Sequence, residues 1–245
     1  MSDATAGHLG PGTAARTGGI LAPLVLLTLL SGVIDAVGML GLGHVFVANM
    51  TGNLVLVGLG LAGSPDSSLT GALVALGGFL CGALLVRHAA PRRTGHRKLL
   101  GGCAALEAAL FTAATSVWSH GAGPGPGPAL VPVLLCAVAL GTQNAVVKRI
   151  GVPGVTTTVM TSTLTGLIAN RPEERTSSTA RRQALSVVTL VTGAALGAAA
   201  VRLAGPRWTL ALVTALAVAA AVACVRRGPA PSPAPREPDR IALER

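Results

Sequence analysis

Six runs of about twenty apolar or small residues, joined by short polar and basic links, constrain this chain more than any other feature. They cover about Ile20–Leu42, Leu69–Val86, Leu99–Trp118, Leu130–Val147, Ala184–Leu203 and Trp208–Val225. A helix rises about 1.5 Å per residue, so each run matches the roughly 30 Å hydrocarbon core of a bilayer. Hydrophobic residues make up 51% of the chain and charged ones 11%, with a mean hydropathy of +0.64. Soluble domains carry about 25% charged residues, and a water-soluble fold of this length has no means of burying so much apolar surface. The expected fold class is all-α, a polytopic helical membrane protein. The first run continues past Leu30 with no small-residue cleavage site, so it reads as a retained helix, not a signal peptide. Residues 1–18 and the Pro-rich stretch 227–245 read as disordered tails around a membrane domain at 19–226.

Two further apolar segments, Phe46–Leu61 and Val155–Ala169, are shorter. About 15 residues reach only about 23 Å as a helix, too little for a complete crossing. Each starts with a polar cluster: Asn49-Met50-Thr51-Gly52-Asn53 in one, Thr156-Thr157-Thr158 through Thr161-Ser162-Thr163 in the other. The segments also sit in matching places. Gly32-Val33-Ile34-Asp35-Ala36-Val37 aligns with Gly141-Thr142-Gln143-Asn144-Ala145-Val146 at an offset of 109, and Met50-Thr51-Gly52-Asn53-Leu54 with Met160-Thr161-Ser162-Thr163-Leu164 at 110. Gly78-x-x-x-Gly82 finds a counterpart in Gly193-x-x-x-Gly197. A repeat with halves at about 19–120 and 129–226 follows.

The nineteen Lys and Arg residues test the topology. If neither short segment crosses, all but Arg202 and Arg207 fall on one side, as the positive-inside rule requires. If both cross, the split is nearly even. The charges say little about Phe46–Leu61 alone, and seven crossings with an outside N-terminus is the rival arrangement. The favoured reading has six spans, two re-entrant or broken segments and both termini cytoplasmic. Three spans per half is odd, so the halves insert in opposite senses, an architecture of transporters and channels.

Several polar residues lie where hydrocarbon does not tolerate them without protein or water around them. Asp35 stands inside the first run and is the candidate coupling or selectivity residue for a proton or cation. Asn49, Thr51 and Asn53 open the first short segment; if a half-helix begins there, its free N–H groups and positive dipole end point into the membrane. Thr157, Thr161 and Thr163 do the same in the second, and Gln143 and Asn144 occupy Asp35's place in the other half. These nine form the expected solute or ion pathway. His44, in the turn after the first run, and Glu107, inside the third, are candidate proton-relay groups. Each also has a plain reading, as a helix cap or an interhelical hydrogen bond.

The runs Gly32-Val33-Ile34-Asp35-Ala36-Val37-Gly38, Gly43 through Asn53, Gly141-Thr142-Gln143-Asn144-Ala145 and Thr156 through Thr165 resemble the YoaK family, bacterial multi-spanning membrane proteins of unknown function. The resemblance covers about residues 20–225, and the Phe-x-x-Asn-x-Thr-Gly-Asn string at 46–53 is its most specific element. It implies a helical membrane fold in the bacterial inner membrane and brings no established substrate.

The net charge of +10 does not indicate nucleic acid, since the basic residues cluster in links and too few aromatics are present to stack on bases. They read as orientation signals and contacts for anionic lipid. The four cysteines lie in apolar runs without metal-ligand spacing, and no nucleotide loop, zinc-protease or nucleophile-elbow motif is present. No enzyme activity, cofactor or metal is expected. The expected partners are the lipid bilayer, a small polar solute or ion, and a second copy of the chain. The leading expectation is a small-solute or ion transporter or channel; the alternative is a non-transporting scaffold or assembly factor.

Overall fold

The computed structural model describes residues 11–64, 68–91, 94–120, 129–151 and 177–226. All regular structure among them is helical: α1 (Pro11–Gly41), α2 (Met50–Leu61), α3 (Leu69–Ala89), α4 (His96–His120), α5 (Leu130–Ile150), α6 (Ser177–Ala204) and α7 (Pro206–Arg226). Five of these helices are long and apolar enough to cross a membrane, at Ala22–Gly41, Leu69–Ala89, Lys98–Ser119, Leu130–Ile150 and Ala180–Ala204; Met50–Leu61 and Pro206–Val222 are shorter apolar helices. The sixth expected span is thus present as α7, with a shorter apolar stretch than the other five. Large apolar side chains such as Leu54, Leu61, Val188, Leu203 and Trp208 face outward, as a lipid solvent permits. The molecule is a multi-pass membrane protein.

Local chemistry sets the boundaries. α1 starts at Pro11, inside the stretch read from sequence as a disordered tail. Proline at the first helical position forfeits no hydrogen bond, and its fixed φ suits a helix start. Ser68 caps α3 by accepting the Gly71 N–H at 3.3 Å. Gly151 ends α5 in the left-handed region at φ 65°, and Gly205 at φ 86° separates α6 from α7, whose first residue is again a proline. Residues 1–10 and 227–245 lie outside the described residues.

Two helix crossings form the frame, and they are built alike. In the crossing of α1 with α6, a Cβ on Gly32 would run into the Leu190 carbonyl, and one on Gly193 into the Leu29 carbonyl. In the crossing of α5 with α3, a Cβ on Gly141 would run into the Phe79 carbonyl, and one on Gly82 into the Val138 carbonyl. Small residues let the backbones approach this closely, and the Thr142 hydroxyl adds a 3.3 Å bond across to the Gly82 carbonyl. Leu29 and Gly32 match Val138 and Gly141 at an offset of 109, while Phe79 and Gly82 match Leu190 and Gly193 at 111. The pairing read from the two Gly-x-x-x-Gly strings is therefore one helical turn out of step: Gly82 corresponds to Gly193, not Gly197. Small residues recur at every turn here, so spacing alone could not choose the register.

The contacts also fix direction. Gly78 and Gly82 meet Leu134 and Val138 in ascending order, so α3 and α5 run parallel; Leu29 and Val33 meet Gly193 and Gly197, so α1 and α6 do too. The Ala129 N–H donates to the Leu42 carbonyl at 3.4 Å, placing the start of α5 at the end of α1. The α1 terminus at Gly41 likewise abuts Pro206, the start of α7. Hence α1 ends and α3 begins at the same end of the bundle, and Phe46–Leu61 does not cross it. α5 ends and α6 begins at the opposite end. The second short segment, with Thr157, Thr161 and Thr163, lies outside the described residues. That opposite end carries Arg87, Lys98, Lys148, Arg149, Arg181 and Arg182, whereas Arg202 and Arg207 lie at the α1 terminus.

Packing divides the interior into two apolar clusters. One holds Leu30, Ile34, Val37, Phe111, Val133, Leu140, Leu210 and Val213; the other holds Leu24, Leu27, Leu100, Cys103, Ala104, Val146, Val147 and Ala220. On α4 the boundary falls between Ala104 and Ala108, and on α5 between Leu140 and Ala145. The polar buried residues Thr28, Ser31, Glu107, Thr142 and Gln143 occupy or adjoin this boundary.

Candidate functional site

The motif at 35–53 forms a re-entrant unit. Gly43 and His44 take positive φ values of 101° and 60° and turn the chain back along α1. The Val45 N–H then donates to the Gly38 carbonyl at 3.3 Å. The close approach leaves no room for a Cβ at Gly38, which would meet the Val45 carbonyl. Further down, Asp35 Oδ1 accepts the Val47 N–H at 2.8 Å and the Ala48 N–H at 2.6 Å. Asp35 lies six residues before the α1 terminus, so the chain descends about 9 Å alongside that helix.

α2 starts at this depth and climbs back out. Asn49 is its cap, accepting the Gly52 N–H at 3.4 Å. Asn53, fully buried, holds the descending arm: its Oδ1 accepts the Phe46 N–H at 2.9 Å and its Nδ2 donates to the Phe46 carbonyl at 2.6 Å. The Phe46 ring covers Gly52 so closely that a Cβ there would overlap it. Four of the motif's side chains thus satisfy main-chain groups or pack on them. An extended arm has no helix to absorb its N–H and C=O groups, and inside a membrane each needs a partner within the protein. A carboxylate beside the opening of α2 also sits favourably against the helix dipole.

The structure brings Asp35, Asn49 and Asn53 together in this unit. Thr51 and Asn49 are exposed, as is His44, whose distinguishing role is the left-handed turn.

Gln143 and Glu107 belong to a different place, the polar boundary inside the bundle. Both are fully buried. Gln143 Nε2 donates to the Ser31 hydroxyl at 2.9 Å and to the Leu27 carbonyl at 3.3 Å, tying α5 to α1. Ser31, a residue that sequence reasoning passed over, is buried and itself bonds the Leu27 carbonyl at 3.0 Å. Its signal was weak, because serine among apolar residues commonly bonds its own helix. Glu107 Oε1 lies 3.4 Å from the Cys103 sulfur, which donates to it from one turn earlier. Two buried side-chain acceptors have no hydrogen-bond partner among the described residues: Glu107 Oε2 and Gln143 Oε1. Asn144 is half-buried on the neighbouring face of α5. Among the described residues no group of three or more His, Cys, Asp or Glu side chains is placed to hold a metal ion.

Comparison with known proteins agrees with this architecture. The family described as "Protein of unknown function (DUF1275)" matches residues 23–223. The "UPF0700 transmembrane protein YoaK" of Bacillus subtilis (strain 168) is 34% identical over 147 residues, 59% of this chain and 64% of that protein's length, so the match spans less than two thirds of that relative. No solved structure matches. The family match covers the bundle from the first apolar turn of α1 to the last of α7, together with the re-entrant motif, and on that ground the chain belongs to the DUF1275 family.

Proposed function

We propose that this protein is a small-solute or ion transporter or channel, residing in the bacterial inner membrane with its cationic end and both termini in the cytoplasm. The observation that carries the reading is the pair of buried, unpartnered acceptors Glu107 Oε2 and Gln143 Oε1 at the boundary between the two apolar clusters. An unpaired buried polar atom costs about 1–3 kcal/mol, and an acid within a spanning helix is by default a functional group. Acceptors without donors select an occupant that brings hydrogens or positive charge: a proton, a small cation, or a small solute rich in N–H or O–H. The re-entrant unit and the like-built crossings add to the reading, because inverted repeats with broken helices are a transporter architecture. The basic residues at one end support the orientation through the positive-inside rule.

A second reading, a non-transporting scaffold or assembly factor, draws on a specific observation. Asp35 accepts N–H groups of the arm's main chain, and Asn53 accepts the Phe46 N–H and donates to its carbonyl, leaving both less free to handle a solute.

Reconstitution distinguishes the two. Liposomes holding the full chain and a pH-sensitive dye would be challenged with gradients of protons, Na⁺, K⁺ and methylammonium. The transporter reading expects flux above empty vesicles for one of these probes, lowered at least about tenfold by Glu107→Gln with the melting temperature retained. Flux equal to empty vesicles for every probe, or flux indifferent to both Glu107→Gln and Gln143→Leu, overturns it.

A further inference from the structure

The two halves of the bundle differ in one respect that the re-entrant unit and the polar boundary do not explain. α6 and α7 pack against each other, whereas α3 and α4, their counterparts in chain order, pack on α5 and hardly touch. Between them opens a groove of about 340 Å³, with Leu85, Val86 and Ala89 on one wall, Leu99, Gly102 and Leu106 on the other, and Thr142 and Val146 of α5 as its floor. Leu85, Ala89 and Gly102 are exposed on the outside of the bundle, so the groove faces the acyl chains. Its outer end lies at the cationic end of the bundle, where Pro91, Thr94 and Lys98 are among the lining residues. No acidic residue lines it. Lys98 is exposed, with His96 two residues before it and Arg87 at the same end of the bundle. Arg149 is not available to a ligand, since its guanidinium donates to the Ala90 and Pro91 carbonyls at the end of α3.

We propose that this groove is a binding site for one anionic phospholipid, an acyl chain lying between α3 and α4 and the headgroup phosphate resting on Lys98. Shape and charge divide the recognition. The apolar walls take a chain of any lipid, and the lysine at headgroup depth selects the negative charge, as basic residues at a membrane surface do. The groove touches the polar boundary through Thr142 and through Cys103, which donates to Glu107 Oε1, but the lipid itself would need neither Glu107 nor Gln143, so its test does not depend on the transport reading.

Gly102 supplies the decisive variant, because a Cβ there meets nothing within 4 Å and a larger side chain grows into the groove without disturbing the helix. Gly77, exposed on α3 and equally free of neighbours, is the control. Full-length protein in detergent would be titrated with phosphatidylglycerol and, separately, with phosphatidylcholine of the same chains, with retained lipid counted by native mass spectrometry. A phosphatidylglycerol carrying a photoactivatable acyl chain would locate the contact. The expected result is at least about tenfold preference for phosphatidylglycerol and crosslinks on 85–106. Lys98→Glu should abolish the preference, Gly102→Phe should remove the bound lipid, and Gly77→Phe should leave both intact, all with unchanged melting temperatures. Equal retention of the two lipids by the unaltered protein, or undiminished phosphatidylglycerol binding by Gly102→Phe, overturns the proposal.

Discussion

The buried carboxamide of Asn53 grips the main chain of Phe46 at both ends, accepting its N–H at 2.9 Å and donating to its carbonyl at 2.6 Å. It ties α2 to the arm descending beside α1, and the Phe46 ring closes over Gly52 to join the same two segments. A residue on the rising helix thereby stabilises the falling segment, and the re-entrant unit stands or falls as a whole.

Asn53→Leu should therefore destabilise the protein by about 2 kcal/mol, since it removes two bonds and leaves two partly buried main-chain groups unpaired. Thr51→Ala, two residues away at an exposed position, should stay within about 0.5 kcal/mol. Unfolding of the detergent-solubilised variants, followed by circular dichroism, checks both. Equal stability of the two would show that the Asn53 grip contributes little.

Gly82→Leu and Gly193→Leu should behave alike. Each added side chain meets a carbonyl of the facing helix, at Val138 and Leu29 respectively. Backbone cannot give way as a flexible side chain does, so each should cost at least the 1–3 kcal/mol typical of overpacking, as an order of magnitude. Gly77→Leu, with open space around it, should be tolerated. Expression and melting temperature report the outcome, and a large difference between Gly82→Leu and Gly193→Leu would deny that the two crossings are equivalent.

Single cysteines introduced into a background without the native four should sort by side. Cysteines at His44, Ser64 and Arg207 should react with a membrane-impermeant maleimide from one face, and those at Lys98, Lys148 and Arg181 only from the other. Labelling of His44 and Ser64 from opposite faces would mean that Phe46–Leu61 crosses after all.

The amino-acid order determined a good deal alone. Apolar runs of membrane-spanning length fix a helical membrane protein, because only helices or closed barrels satisfy every backbone group in hydrocarbon. The distribution of Lys and Arg argued against a crossing by Val155–Ala169 and said little about Phe46–Leu61, which was visible as an apolar segment too short to span, opened by the polar cluster at 49–53. What the polar residues here do was not legible. Asp35 and Asn53 looked like solute ligands, yet their hydrogen bonds go to Val47, Ala48 and Phe46, partners set by a turn at Gly43 and His44 that no spacing rule announces. The register of the repeat was also ambiguous by one turn, since Gly and Ala recur along every face. Only tertiary structure decided which glycine meets which carbonyl. It alone placed Ser31, Glu107 and Gln143 along one boundary, because residues 112 positions apart, such as Ser31 and Gln143, meet only when the helices carrying them pack. Hydrophobicity is a property of single residues summed along a segment, so a sequence reports it directly; partnership is a property of pairs, and the pairs form only in three dimensions.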